Sequence, residues 1–261
     1  MLDSKILFPF ILALFSGLST VLGGLLVFFT KNNNNKIISF SLGFSAGVMI
    51  TISLTDLFPE ASSTLIKHNG NLKGMLLSLL FLIIGIAIAY LIDSFIPDTT
   101  GNTTLNSNNS AVIYKVGLVS MIALILHNFP EGIATFISGY HDKSLGIYVA
   151  LSISLHNIPE GIAIAIPIYY GTNSRLLAIK YTLYSALAEP FGALIAFLFL
   201  RPYINDVILS ITFALVAGIM LYISLEELLP EARKNGDKFT YIFSIVLGIC
   251  IMPLSHVFFL N

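Results

Sequence analysis

Two hexapeptides carry the chemistry of this chain. HNFPEG begins at His127 and HNIPEG begins at His156, 29 residues later. Extended by two residues, HNFPEGIA and HNIPEGIA differ at one position of eight. Each places histidine and glutamate four apart, and asparagine and glutamate three apart: His127, Asn128 and Glu131, then His156, Asn157 and Glu160. On a helix both spacings put the side chains on one face. If two such helices lie side by side, two imidazoles, two carboxamides and two carboxylates converge. A divalent ion held by His127, Glu131, His156 and Glu160 is formally neutral. That matters where an isolated charge at the bilayer centre costs about 3 kcal/mol or more. A third acid, Glu189 of LAEPFGA, stands before Pro190 in another apolar run. With Asn128, Asn157 and the shared Glu131 and Glu160 it can complete a second, oxygen-rich position. Nitrogen and oxygen ligands without thiolate suit zinc, iron(II), cobalt(II) and manganese(II). Affinity order places zinc above manganese, so zinc ranks first and iron(II) next.

The elements that position these residues are membrane helices. The chain of 261 residues is 56% hydrophobic and 10% charged, with a mean hydropathy of +0.89. Soluble domains carry about 25% charged residues. Net charge is −1, which gives no basic surface for nucleic acid. Cys250 is the single cysteine and excludes an internal disulfide. A bilayer core needs about 20 apolar residues per helix. Eight segments qualify, at about 6–29, 37–60, 72–93, 112–139, 145–170, 175–200, 207–229 and 239–260. The first is longer than the apolar region of a signal peptide and is read as a span. The alternation of a membrane β-barrel is absent. The expected fold is thus an all-α integral membrane protein, one transmembrane domain over 1–261. The 94–111 connection, with PDTTGNTTLNSNNS, is polar, low in complexity and expected to be disordered. Pro130 and Pro159 lack an N–H and are expected to kink their helices, freeing the carbonyls of Leu126 and Leu155. Gly132 and Gly161 permit close helix contact.

A second repeat pairs AGVMITISLTDLFPEA at 46–61 with AGIMLYISLEELLPEA at 217–232, identical at ten positions of sixteen. Spans 2 and 7 have opposite parity, as do spans 4 and 5, so both repeats are inverted. Inverted repeats are a common plan of secondary transporters, with the site near the midplane. The repeat sets Asp56 and Glu60 near the end of span 2, and Glu226, Glu227 and Glu231 near the end of span 7. These carboxylates are expected at opposite faces, as entrance and exit stations of a transport pathway. Alternate links hold eight Lys and Arg (Lys31, Lys36, Lys115, Arg175, Lys180, Arg233, Lys234, Lys238) against five (Lys5, Lys67, Lys73, Lys143, Arg201). The bias puts both termini outside and the 94–111 loop in the cytoplasm.

Plainer readings exist. A lone intramembrane histidine is more often a packing residue than a ligand, but two copies on antiparallel neighbours favour ligation. Glu60 and Glu231 can be simple interfacial groups, as can Asp93 and His256, while His68 and His141 sit in links. An intramembrane metalloenzyme is disfavoured, because asparagine follows each histidine where HExxH needs the catalytic glutamate. A scaffold or receptor with a structural metal is the other alternative. No GxxxxGK[ST] signature supports primary active transport.

HNFPEG, HNIPEG, LAEP and SLGFSAGVMITISL at 41–54 together resemble the ZIP (Zrt/Irt-like) metal transporters, and in particular a bacterial branch in which both hexapeptides take this form. The resemblance spans all eight segments. It implies uptake of divalent metal across the cytoplasmic membrane, zinc first, with iron(II), manganese, cobalt and cadmium as further cargo. It implies a binuclear centre between spans 4, 5 and 6. One position would use His127, Glu131, His156 and Glu160, and the other Asn128, Glu131, Asn157, Glu160 and Glu189. It further implies both termini extracytoplasmic, a homodimer, and elevator-like movement of a transport bundle against a scaffold. The chain departs from many members in having no histidine between Asp93 and Leu126, which removes the histidine-rich loop they carry.

Overall fold

A computed structural model describes residues 4–29, 35–95, 107–200 and 205–259. Among these residues there is no β-strand. The helices are α1 (Ser4–Gly24, prolonged by a 3-10 turn Leu25–Phe28), α2 (Asn35–Asn69), α3 (Asn71–Phe95), α4 (Ser107–His141), α5 (Lys143–Thr172), α6 (Arg175–Phe199), α7 (Asp206–Asn235) and α8 (Lys238–Phe259). The first seven are long and apolar enough to cross a membrane, and the apolar part of α8 described is the shorter stretch Lys238–Leu254. The expected links around Lys31 and Arg201 and most of the 94–111 loop lie outside the described residues.

Short connections are possible because each new helix starts on its own cap. The side chains of Asp142, Ser174 and Asn205 accept from the N–H groups of Leu145, Leu177 and Ile208 at 2.7, 3.2 and 3.0 Å. Asp237 accepts from the Thr240 N–H at 2.9 Å and meets Lys36 at 3.1 Å, and these contacts hold its carboxyl at about 2. Gly70, at φ 82, turns α2 into α3, a left-handed backbone that glycine adopts without strain.

Three boundaries differ from the sequence expectation. Helix α2 runs nine residues past Glu60, and α7 six past Leu229. Both pass through a π-helical turn, Ile52–Leu57 in α2 and Ile223–Leu228 in α7, each followed by proline at the start of the next α-helical stretch. The widened turn moves the backbone into i→i+5 bonds, Phe58 N–H to the Ser53 carbonyl and Leu229 N–H to the Ser224 carbonyl. Pro59 and Pro230 then no longer end the helix. Third, α4 and α5 stay α-helical through Pro130 and Pro159, while the break lies in α6 at Leu187, just before Pro190. The carbonyl of Ala186, which the missing Pro190 N–H cannot bond, lies over Gly17 of α1.

Four seams set the packing, each made by two reciprocal glycine contacts. Gly23 of α1 sits on the Ile158 carbonyl and Gly161 of α5 on the Thr20 carbonyl. Gly192 of α6 sits on the Phe129 carbonyl and Gly132 of α4 on the Glu189 carbonyl. Gly85 of α3 meets the Leu215 carbonyl, and Gly218 of α7 the Leu82 carbonyl. Gly47 of α2 meets the Ile245 carbonyl, and Gly248 of α8 the Phe44 carbonyl. Without a Cβ, backbone approaches backbone directly, as membrane interfaces of small residues do. The seams fall into two groups, α1/α5 with α4/α6, and α3/α7 with α2/α8. Exchanging α1 with α6, α2 with α7, α3 with α8 and α4 with α5 maps every seam onto another. Gly23 and Thr20 stand 169 positions before Gly192 and Glu189, and Gly47 and Phe44 stand 171 before Gly218 and Leu215.

At Gly85 a side chain would meet the Leu215 backbone, which cannot step aside. Gly85→Val is expected to cost about 1–3 kcal/mol or more by overpacking. Reversible unfolding in detergent micelles measures it, and stability equal to the parent protein would contradict the seam.

Candidate metal centre

The hexapeptide helices α4 and α5 are antiparallel neighbours joined through the single residue Asp142, and they pack together extensively. Their charged faces meet away from solvent. His127, Asn128, Asn157, Glu160 and Glu189 are 0% exposed, Glu131 4% and His156 6%. His127 Nε2 lies 3.1 Å from Glu131 Oε1 and 3.0 Å from Glu160 Oε1. His156 Nε2 lies 2.7 Å from Glu131 Oε1. Ligand atoms of His127, His156 and Glu160 fall within 4.8 Å of one another. A tetrahedral zinc with bonds of about 2.1 Å keeps its ligand atoms about 3.4 Å apart. The three histidine–glutamate separations, 2.7–3.1 Å, are about 0.3–0.7 Å shorter than that, as hydrogen-bonded contacts are.

Glu189 arrives from α6 because Gly132 leaves room for its backbone. Its two carboxylate oxygens contact Ser16 Oγ and Asn157 Nδ2. Asn157 Nδ2 also donates to the Ser16 carbonyl at 2.9 Å. The Asn128 carboxamide spans the other side. One end is 3.3 Å from Ser185 Oγ, and the end facing acceptors, its nitrogen, donates at 3.1 Å to Glu160 Oε2 and to the Leu124 carbonyl. All seven residues singled out in the sequence therefore stand in one cluster.

Beyond these contacts, His127 Nδ1, Glu131 Oε2 and Asn157 Oδ1 are buried without a hydrogen-bond partner among the described residues. A native interior rarely leaves such groups unsatisfied. Imidazole, carboxylate and amide carbonyl groups gathered in one buried cluster are a donor set that suits a borderline divalent cation.

The outlying carboxylates divide. Asp56 is half-buried and Glu60 exposed, and both line a cavity of about 500 Å³ with Thr55, Ser63, Tyr148 and Ser152. Ser152 lies one helical turn before His156 on α5, so this cavity runs along the helix that carries the centre. On α7, Glu226 is exposed, whereas Glu227 and Glu231 are buried. Glu231 Oε1 accepts from Asn235 Nδ2 at 2.6 Å and Lys234 lies 3.7 Å from its other oxygen. Each π turn places its acid at the same point: Asp56 in one copy and Glu227 in the other.

Sequence reasoning missed four residues. Ser16 and Ser185 had no spacing signal, since they come from helices other than the hexapeptides. Lys115, counted as a link residue, lies inside α4 and pairs with Asp93 of α3 at 2.9 Å, and Tyr222 of α7 donates to Asp93 at 3.0 Å. Asp93 thus ties α3 to α4 and α7.

Removing the Ser16 hydroxyl withdraws a donor from a buried carboxylate, a loss worth about 1–3 kcal/mol. Ser16→Ala should lower the stability of the metal-free protein by that amount. Chemical unfolding in detergent reads it, and no change would mean that Ser16 does not hold Glu189.

Residues 97–255 match the sequence model of the family described as ZIP Zinc transporter. Three relatives share most of the chain, each called zinc transporter ZupT. That of Oceanobacillus iheyensis is 43% identical over 96% of this chain and 97% of its own length. That of Lysinibacillus sphaericus is 42% identical over 98% and 99%, and that of Streptococcus mutans 43% over 96% and 97%. A helical membrane protein with paired His-Asn-Glu faces, matched over nearly its whole length in this way, belongs to the ZIP zinc transporter family.

Proposed function

We propose that this chain is a secondary transporter that carries divalent metal, zinc first, across the cytoplasmic membrane into the cell. The observation that carries the reading is the buried cluster of His127, Glu131, His156 and Glu160, whose imidazole nitrogens and carboxylate oxygens stand 2.7–3.1 Å apart on apolar helices long enough to cross a membrane. A zinc ion there is neutralised by two carboxylates and completed by two imidazole nitrogens. Asn128, Asn157 and Glu189, with the same two shared glutamates, form the second, oxygen-rich position. Iron(II) fits both positions next best, and manganese, cobalt and cadmium follow as further cargo. The relatives' printed name, zinc transporter, agrees with that order.

The route runs from Asp56 and Glu60 through the cavity beside Ser152 to His156, then past the centre to Glu227 and Glu231, with Glu226 at the exposed mouth. The seam exchange supports an inverted repeat over all eight helices, with α2 and α7 as opposed halves. Two glycine-sealed groups also supply bodies able to move against each other, α1, α4, α5 and α6 carrying the cargo. The charge bias supports extracytoplasmic termini, and a homodimer completes the arrangement. Catalysis has no support in the centre, where no hydroxyl or thiol nucleophile stands beside a base in the hexapeptides.

Zinc flux into proteoliposomes tests the reading. Glu160→Ala is expected to abolish flux by leaving two imidazoles and one carboxylate around the ion, and metal binding without any flux in the parent protein would reject transport. In the same vesicles, Asp56→Asn and Glu227→Gln should slow flux while zinc affinity at the centre changes less than about twofold. An equal loss of binding would place those acids in the centre. Competition among zinc, iron(II) and manganese in the same vesicles ranks the cargo.

A further inference from the structure

The centre is built from two halves related by the seam exchange, and the halves differ at one point. On the α4 side, Gly132 of HNFPEG receives the backbone of Glu189, and Gly192 receives the carbonyl of Phe129. On the α5 side, Gly161 of HNIPEG receives the backbone of Thr20, and Gly23 receives the carbonyl of Ile158. Phe129 and Ile158 are the same motif position, the third residue of each hexapeptide. Residue 20 therefore stands to the second hexapeptide as residue 189 stands to the first. The equivalence continues one turn away. Ser16 and Ser185 are also 169 positions apart, and each lies against a hexapeptide asparagine, Ser16 against Asn157 and Ser185 against Asn128.

An independent observation concerns the Thr20 hydroxyl, one of four buried hydroxyls, with Ser39, Ser120 and Thr135, that lack a partner among the described residues. Thr20 is 0% exposed, and its Oγ1 has no hydrogen-bond partner among the described residues. A threonine on a helix usually relieves this by bonding the carbonyl four residues back. Here that carbonyl, of Ser16, already accepts from Ser19 Oγ at 2.5 Å and from Asn157 Nδ2 at 2.9 Å. A buried hydroxyl left alone loses its hydration without return, and valine has the same shape without that cost. The hydroxyl at this position needs another use.

We propose that Thr20 is a further residue of the metal centre: its hydroxyl is the counterpart of the Glu189 carboxylate and offers the passing divalent cation a neutral oxygen on the α5 side. The inference rests on the reading of the centre as a two-ion site that includes Glu189. It also gives the difference between the halves a purpose. With glutamate at both places, four carboxylates would cancel the charge of two divalent ions completely. With threonine at one, three carboxylates leave a single positive charge in excess. A transported ion must be held firmly enough to enter and loosely enough to leave. The neutral ligand at position 20 makes the α5 side the weaker one, the side from which an ion is released.

A thiol placed at position 20 reports directly whether that side chain reaches the ion, because thiolate binds cadmium strongly and gives an ultraviolet thiolate-to-cadmium charge-transfer band. In the full-length protein purified in detergent, with Cys250→Ser as background, Thr20→Cys and Glu189→Cys are titrated with cadmium. Leu22→Cys, on the exposed face of α1, serves as the blank. Both buried variants are expected to give the band, saturating at one thiolate per chain, and the blank none. A band for Glu189→Cys but not for Thr20→Cys overturns the inference and leaves the two-ion reading standing. A band for Thr20→Cys alone upholds the inference and removes Glu189 from the ligands. No band from either variant rejects both. A second variant separates ligation from packing. Thr20→Val should fold at least as stably as the parent when metal-free, yet weaken zinc binding by about tenfold, one charge-assisted contact's worth. Zinc affinity unchanged in Thr20→Val likewise overturns the inference. Conversely, Thr20→Glu should lower half-saturating zinc about tenfold or more and slow turnover, as release becomes the harder step.

Discussion

Every part of this molecule answers to one constraint: three carboxylates and two imidazoles are sunk where there is no water to solvate them. Burying an ion costs several kcal/mol even after the protein relaxes. Glu131, Glu160 and Glu189 are each at most 4% exposed, and they stand together. Such a cluster is tolerable only if its members satisfy one another or share a cation. The histidines do part of this, at 2.7–3.1 Å from the glutamate oxygens. Asn157, Ser16 and Asn128 do more, by donating to carboxylate and carbonyl oxygens. What remains is a buried group in which ligand atoms of His127, His156 and Glu160 lie within 4.8 Å of one another, a donor set that suits a divalent ion.

The glycine seams follow from the same constraint. Side chains this short converge only if their helices nearly touch. Gly132 lets the Glu189 backbone approach α4, and Gly161 does the same for α1 against α5. In a bilayer there is little hydrophobic drive to press helices together, so close backbone packing supplies the association. The same contacts that stabilise the bundle therefore set the ligand geometry. The boundary between the two helix groups is made instead by side chains, apolar ones in a shared cluster with Leu42, Met49, Val116 and Ile166, and polar ones such as Ser45 Oγ to the Pro159 carbonyl at 2.8 Å and Lys115 to Asp93.

Irregular backbone falls beside acidic residues. The two π turns lie at Asp56 and at Glu227, and the helix break in α6 lies two residues before Glu189. Each widens or turns the helix at an acid, as π turns at functional positions commonly do. The hexapeptide prolines, by contrast, leave α4 and α5 helically continuous, while Glu189 comes from the interrupted α6.

The sequence by itself determined the helical membrane fold, the seven ligand candidates and both repeats. These are written in local pattern: apolar runs of membrane length, side chains three and four apart on one face, and near-identical segments. It could not determine which helices touch, because a glycine contact joins residues 57 to 204 positions apart and leaves no periodic trace. Thus Ser16, Thr20 and Ser185 joined the centre only in three dimensions. The helix ends past Glu60 and Leu229 were likewise set by tertiary structure. A proline reads as a stop until a π turn shifts the hydrogen-bond register around it. Lys115 read as a loop charge for the same kind of reason, since only the folded chain brings Asp93 and Tyr222 to meet it. Local chemistry fixes what each residue can do. The close approach of helix backbones decides which residues do it together.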